Sequence, residues 1–467
     1  MNIQEIIAEM TLEDKISLCT GADFWHSKAV EKYGIPAFLM SDGPHGLRCQ
    51  GGEADMIGIN ESIPATCFPA AVTAGAAWNP ELYAAEGKAI GQEAIAAGVD
   101  VVLGPGCNIK RNPLCGRNFE YLSEDPYLAG KLAAAFIRGL QGTGVSASLK
   151  HFAANNQEYK RQNGDSQVDN RALREIYLAP FEAAVQEGKP DTVMCSYNKI
   201  NGVHASDNRW LLTEVLREEW GFGGMVVTDW GALNDRIKGF QAGCDLNMPG
   251  GSRFMEKAAL EAVKQGNLGE KDIDASVERI LRLAFQASER ERGKESFEKD
   301  THDALACKVA EQGAVLLKNE SGLLPADPAG MVLIGHMAEK FRYQGSGSSH
   351  INPTKLTSLT DALPDVPYVP CCDADGKVTD QSLRQAADLA RGARIAVVVA
   401  GLPDSYESEG FDRESMAMPE GHNHMIEMVA AANPNTVVVG LTAATTSIMW
   451  LCPSGMAMLS RSKPSDS

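Results

Sequence analysis

Three short segments gather most of the side chains able to do chemistry. Asp229 ends the apolar run Met225-Val226-Val227-Thr228, and Trp230 follows it directly. A carboxylate at the end of a buried strand either caps backbone amides of the next turn or faces a cleft. The adjacent indole offers a flat apolar wall that suits one face of a sugar ring, although core packing accounts for most tryptophans. The loop "SYESEGFDRES" packs Glu407, Glu409, Asp412 and Glu414 together with only Arg413 to balance them. Such a run is either solvated surface or the source of a general acid, whose hold on its proton is strengthened by neighbouring acids and partial burial. In "SDGPHGLR", Asp42, His45 and Arg48 share a Gly/Pro-shaped loop. There Asp42 serves either to satisfy turn amides or to accept hydrogen bonds from vicinal hydroxyls, with the arginine as a fork donor.

"GRNFEYLSEDP" and "KHFAANNQEYKR" add Arg117, Glu120, Lys150, His151 and Arg161. Each alone fits a structural ion pair. Together they describe a polar mouth rich in donors and acceptors, as a polyhydroxylated ligand requires. Lys150-His151 would also suit a phosphate, but no glycine-rich phosphate loop in strand–helix context accompanies them. The cysteines do not make a zinc pattern: Cys107 and Cys115 lack a second close pair, and Cys371 and Cys372 are adjacent. No metal or other cofactor is expected.

The elements that must position these residues are legible as repeated strand–helix punctuation. Apolar runs in "AFLMSDG", "VDVVLGPG", "VSASLKHF", "DTVMCSYN" and "GMVVTDWGA" are separated by helix-length amphipathic stretches. Continuous apolar strands between helices imply a parallel sheet buried on both faces, and residues 1–290 fit a (β/α)8 TIM-type barrel, regular or irregular. Asp42, Asn108, Lys150, His151, Tyr197, Asn198, Asp229 and Asp245 follow the apolar runs, at the end where such barrels place their active sites. A charged linker is expected over 291–308. Beyond it, residues 309–467 alternate helix and strand as a partial α/β/α sandwich, with strands in "GMVLIG", "RIAVVVAGL" and "NTVVVG". From Leu441 this grammar breaks into a Ser- and Pro-rich segment, which reads as an unfinished domain.

Bulk properties narrow the classes. The chain has 467 residues, 44% of them hydrophobic and 22% charged, as expected of ordinary globular domains. A net charge of −18 and pI near 5.0 disfavour nucleic acid and anionic membranes as partners. The N-terminal stretch lacks a basic region followed by an apolar one, and no apolar run is long enough to span a bilayer. With eleven cysteines, several in apolar runs, reduced thiols and a cytoplasmic location are expected, with a small neutral substrate and a possible homo-oligomer.

At these residues the sequence closely resembles glycoside hydrolase family 3, in its β-glucosidase branch. The resemblance is carried by "SDGPHGLR", "GPGCNIKRNPLCGRNFEYLSEDP", "KHFAANNQE", "MCSYNKINGVHASDN", "VVTDWGA" and "ESEGFDR", in the family's order. It implies retaining hydrolysis of terminal β-D-glucosyl residues in β-glucosides or short oligosaccharides, with Asp229 as nucleophile and Glu409 as general acid/base. Glu407 is the nearest competitor for the acid role. The resemblance further places Asp42, Arg48, Arg117, Lys150, His151, Arg161, Met194, Tyr197 and Trp230 around the glucose subsite. Among cationic residues Asp229 is expected to stay ionised, whereas Glu409 in its acidic loop is expected to keep its proton. The loop "KHFAANNQE" lacks the His-Asp pair typical of related N-acetylglucosaminidases. Asp42 stands where xylosidase-type members commonly have Glu, which favours glucosides over xylosides or arabinosides. Family members of this type usually continue past "NPNTVVV", so a missing C-terminal portion is expected, and a sugar-binding product without turnover is the competing outcome.

Overall fold

The computed structural model describes residues 2–441, except 52, 53, 55–59, 252, 291–295, 317–321 and 323. The segment after Leu441, which reads in the sequence as an unfinished domain, lies outside the described residues.

Five strands, β1 (Met40–Asp42), β2 (Val101–Leu103), β3 (Ser146–Phe152), β4 (Thr192–Cys195) and β5 (Met225–Thr228), form one parallel sheet in sequential order. Every residue in them is buried, including the polar Ser41 and Asp42 of β1 and Ser146, Ser148, Lys150 and His151 of β3, as expected of a sheet covered on both faces. The ladder continues through Val227–Leu246 and Thr20–Asn247 bridges, and Met40 N returns it to the start by donating to Trp25 O at 3.0 Å. The sheet is thus curled back on itself in the TIM-type manner, with five regular strands and the rest of the circuit made by short bridges.

Helices α1 (Pro80–Ala96) and α2 (Pro126–Gln141) cover the outside. Each begins with proline in its first turn behind a side-chain cap: Asn79 accepts from Leu82 N, and Asp125 accepts from Tyr127 N. Gly139 lets the two helices touch, since a Cβ there would collide with the Ala84 carbonyl. Inside the curl, Met40, Leu103, Met194, Val227 and Trp230 pack in one apolar cluster with Trp25. Helix α3 (Glu270–Ser288) closes this side, contributing Ile273, Val277, Ile280 and Leu281 to that cluster.

Helix α4 (Lys299–Gly313) opens inside the segment expected to be a linker. Its anchor is His302, buried and 2.7 Å from Glu93 on α1, an interaction that charge composition alone does not disclose. The second domain is a parallel sheet in the order β7-β6-β8-β9, comprising β6 (Met331–Ile334), β7 (Tyr368–Val369), β8 (Ile395–Gly401) and β9 (Thr436–Leu441). The two-residue strand β7 is too short to leave a periodic signal. Along β8, Ala396, Val398 and Ala400 face helices α5 (Asp380–Arg391) and α6 (Glu420–Ala432). Ile395, Val397 and Val399 face Met337, Phe341 and the short helix at Leu359–Ala362. Alternation along the strand thus makes the α/β sandwich.

Candidate active site at the domain seam

The first domain supplies a carboxylate fixed by its own strand. Asp229 N donates to Cys195 O at 3.0 Å, carrying the β4–β5 ladder one residue past the strand end. Its Oδ1 accepts from Trp230 N at 2.8 Å, whereas the buried Oδ2 has no hydrogen-bond partner among the described residues. The nearest basic atom to Oδ2 is His151 Nε2, at 3.8 Å. Burial raises the Asp229 pKa above the usual carboxylate value, and Arg117, Arg161 and Lys150 pull against it. Those charges favour the ionised form, but burial and the nearby Glu409 carboxylate prevail and the net direction is upward.

His151 is held neutral, its pKa pushed well below the ordinary imidazole value by burial and by Arg117, Lys150 and Arg161. Arg117 Nη2 donates to His151 Nε2 at 2.9 Å, so the ring proton belongs on Nδ1, 3.2 Å from the Tyr121 hydroxyl. Asn108 brackets the same residue, accepting from His151 N at 2.7 Å and donating to His151 O at 2.9 Å. Glu120, fully buried, neutralises two of the surrounding cations: Arg117 Nε donates to it at 2.9 Å, and Lys150 Nζ lies 2.8 Å away. Asp42 receives Arg48 Nη1 at 3.2 Å, and burial raises its carboxyl to about 7 against the pull of Lys150 and Arg48. The Tyr197 hydroxyl donates to Trp230 O at 3.0 Å, and the Arg161 guanidinium lies 4.8 Å above the Tyr197 ring. Trp230 Nε1 donates to Phe24 O at 2.8 Å, while Trp25 packs 5.4 Å from the Trp230 ring. Met194 is an apolar wall in the same cluster.

Glu409 enters from the second domain. Its Oε1 lies 2.8 Å from Arg161 Nη1 and 3.8 Å from Arg117 Nη2, and its Oε2 accepts from Ser348 N at 2.8 Å. Gly347, at φ +77, makes this approach possible, because a Cβ there would lie 2.6 Å from Oε2. Burial acts to raise the Glu409 pKa, but Arg117 and Arg161 outweigh it and hold the carboxyl well below the usual range. The expectation that Glu409 keeps its proton among neighbouring acids is therefore reversed. Its partners in space are arginines of the first domain, not the acids beside it in sequence.

Glu407 is fully buried against Arg342, whose Nη1 is 3.4 Å from its Oε1 and whose Nη2 donates to its carbonyl at 3.0 Å. It is an anchor of the loop. Asp245, grouped with the strand-end acids, instead precedes the Leu246 bridge; it pairs with Arg217 and Arg279 at 2.8 Å each and accepts from Val226 N.

Sequence reasoning gave no role to Ser348, Glu158 or Asp412. Arg161 Nη1 is shared between Glu158 and Glu409, and burial raises the Glu158 carboxyl to about 7. Asp412 accepts three backbone amides of the first domain. Its position inside the "EGFDR" motif was the available signal. Among the described residues, no group of three or more His, Cys, Asp or Glu side chains is arranged to hold a metal ion.

Chemically, the arrangement offers a buried carboxylate oxygen with no hydrogen-bond partner among the described residues, a second carboxyl beside two arginines, and a ring of donors and acceptors around them. It defines a two-domain α/β protein whose candidate active site lies at the strand ends of a TIM-type sheet and is completed by an α/β sandwich. The model of the glycosyl hydrolase family 3 N-terminal domain matches residues 21–283, and that of the family's C-terminal domain matches residues 314–462. The chain belongs to glycosyl hydrolase family 3. The second match runs on past Leu441, through most of the segment that reads as an unfinished domain.

Thermostable β-glucosidase B of Acetivibrio thermocellus is 49% identical over 460 residues, which are 97% of this chain and 61% of that protein. An exo-α-(1→6)-L-arabinopyranosidase of Bifidobacterium longum is 44% identical over 453 residues, covering 93% of this chain and 59% of that one. The crystal structure of a Bifidobacterium adolescentis GH3 β-glucosidase superposes with a TM-score of 0.87 at 42% identity, covering 94% of this chain and 64% of that chain. This chain thus spans about three fifths of the length of these relatives.

Proposed function

We propose that the protein is a retaining β-glucosidase that hydrolyses terminal non-reducing β-D-glucosyl residues. In this reading Asp229 attacks the anomeric carbon and Glu409 protonates the departing oxygen, then activates the water that releases the sugar. The observation that carries it is the buried Asp229 Oδ2, which has no hydrogen-bond partner among the described residues and feels the charges of the arginines that grip Glu409. A retaining mechanism needs its two carboxyl groups about 5–5.5 Å apart, one ionised and one protonated. In the free protein the Glu409 carboxyl is ionised by Arg161 and Arg117. Substrate hydroxyls that engage these guanidiniums would weaken their hold and let Glu409 take up its proton. Asp42, Arg48, Lys150 and His151 supply the acceptors and donors for the remaining hydroxyls, and Trp230 the apolar wall.

The test is release of aryl alcohol from an aryl β-D-glucoside by the 467-residue chain and by its Asp229→Asn variant. Activity in the parent that vanishes in the variant supports the reading; a folded parent without turnover counts against it. A second reading, arabinopyranoside specificity, is favoured by the 44% identity to the Bifidobacterium longum enzyme. A parent that prefers aryl α-L-arabinopyranoside to aryl β-D-glucoside would replace the first reading with this one. A cytoplasmic location belongs to the same proposal and is checked by cell fractionation.

A further inference from the structure

The loop after β8 changes allegiance part-way along. Its first half belongs to the second domain: Arg342 donates to the carbonyls of Leu402, Pro403 and Glu407 and pairs with Asp404 at 3.1 Å. Its second half belongs to the first domain. Asp412 Oδ1 accepts from Gly116 N at 3.0 Å and from Glu158 N at 2.9 Å, and Oδ2 accepts from Tyr159 N at 2.9 Å. Beside it, Gly410 N donates to Glu158 Oε2 and Arg413 N donates to Leu114 O, both at 2.8 Å. Glu409 lies where the change occurs.

Gly116 and Glu158 belong to two different loops, one following β2 and the other following β3. One carboxylate therefore ties both loops to the residue three places after Glu409. Hydrogen bonds from amides to a carboxylate are stronger than neutral pairs, and here three of them converge on one side chain, two of them part-buried. A carboxyl delivered by a loop must be held to within about 0.5 Å to be productive, and a misplacement of about 1 Å can cost about 10²-fold in rate.

We propose that Asp412 is a positioning residue: by collecting these three amides it docks the loop on the first domain and sets where the Glu409 carboxyl stands. The inference rests on the reading of Glu409 as proton donor. An Asp412→Asn change keeps the shape but turns one acceptor oxygen into a donor facing amide donors.

The experiment compares Asp412→Asn, Glu409→Gln and the double variant on two aryl β-D-glucosides, one with a strongly acidic phenol as leaving group and one with a weakly acidic phenol. A loosened acid should lower kcat on the weakly acidic phenol by about 10²-fold and on the strongly acidic one only a few-fold. In the Glu409→Gln background, Asp412→Asn should add no further loss on the weakly acidic phenol, because it acts through the same group. Equal losses on both substrates, or full additivity in the double variant, would overturn the proposal. Amide hydrogen exchange decides independently of turnover. Asp412→Asn should deprotect Gly116, Glu158 and Tyr159 together with residues 408–413 while leaving β3 and β5 protected. Unchanged protection there overturns the docking role even if the parent proves to be no glucosidase, whereas loss of protection throughout the chain would assign Asp412 to general stability and equally overturn it.

Discussion

Asp229 and Glu409 come under the influence of the same two arginines by opposite routes. Asp229 is fixed locally: its amide extends the sheet ladder to Cys195, and its Oδ1 is satisfied by the amide of the next residue. The Glu409 carboxyl is gripped from afar, by Ser348, 61 positions away, by Arg161, 248 positions away, and by Arg117. One carboxylate inherits the rigidity of a buried sheet, the other that of a seam between two domains. On the retaining reading, disturbance of the seam should therefore cost Glu409 before it costs Asp229.

The comparison can be broken most severely at the rigid end. Asp229→Asn should lower kcat/KM for every glucoside by at least about 10⁴-fold, whatever the leaving group, because no other group replaces the attacking oxygen. A variant retaining a tenth of parental activity would remove Asp229 from that role. Glu409→Gln should be selective: about 10²–10³-fold loss on a weakly acidic phenol and little on a strongly acidic one, read from kcat across a leaving-group series. A wedge in the seam should produce a weaker copy of that pattern. Gly116 has no room for a Cβ against the carbonyls of Ser408 and Phe411, so Gly116→Ala should lower kcat on the poor leaving group by about tenfold to 10²-fold. An equal loss on both leaving groups would show instead that the first domain itself had shifted.

The smallest expected effect is on stability. Glu158 has its carboxyl raised to about 7, so the native state keeps a proton that the unfolded chain gives up near the ordinary value of 4.5. Its contribution is present in full at acid pH and is lost as pH rises through about 7. Taken as a difference between parent and Glu158→Gln, which removes the titration, the parent's relative melting temperature should fall between about pH 4.5 and about pH 7. A flat difference would mean that Glu158 is ionised throughout. Glu409 has the opposite sign: depressed by Arg117 and Arg161, its contribution is present above the ordinary carboxylate range and is lost only on strong acidification.

The same contrast explains what was legible in the sequence. The five strands of the first sheet left short apolar runs, and Asp42, Lys150 and His151 at the C-terminal ends of β1 and β3, with Tyr197 and Asp229 just past β4 and β5, surround one centre. These are local facts, written in periodicity and strand ends. Asp245 misled because an acid before a strand-like bridge and an acid after a strand look alike in a string of letters. Glu407 and Glu409 were inseparable by composition; Arg342, 65 positions from Glu407, separates them. The charge state of Glu409 was misjudged for the same reason: chain neighbours were counted, whereas the arginines that govern it come from the other domain. Asp412 stood in plain view within a quoted motif, but three backbone amides have no residue type that could announce them.

The contact of Glu409 with Arg161 and Arg117 has a consequence for how ligands are counted. On the retaining reading, the side chain is charged in the free protein and neutral in the reactive complex. Sugar and proton must then bind together, the one making room for the other. Calorimetry of a glucose-like inhibitor in buffers of different ionisation enthalpy would register that proton as a second ligand. Over the pH interval between the two states of Glu409, affinity would weaken roughly tenfold for each unit of rising pH.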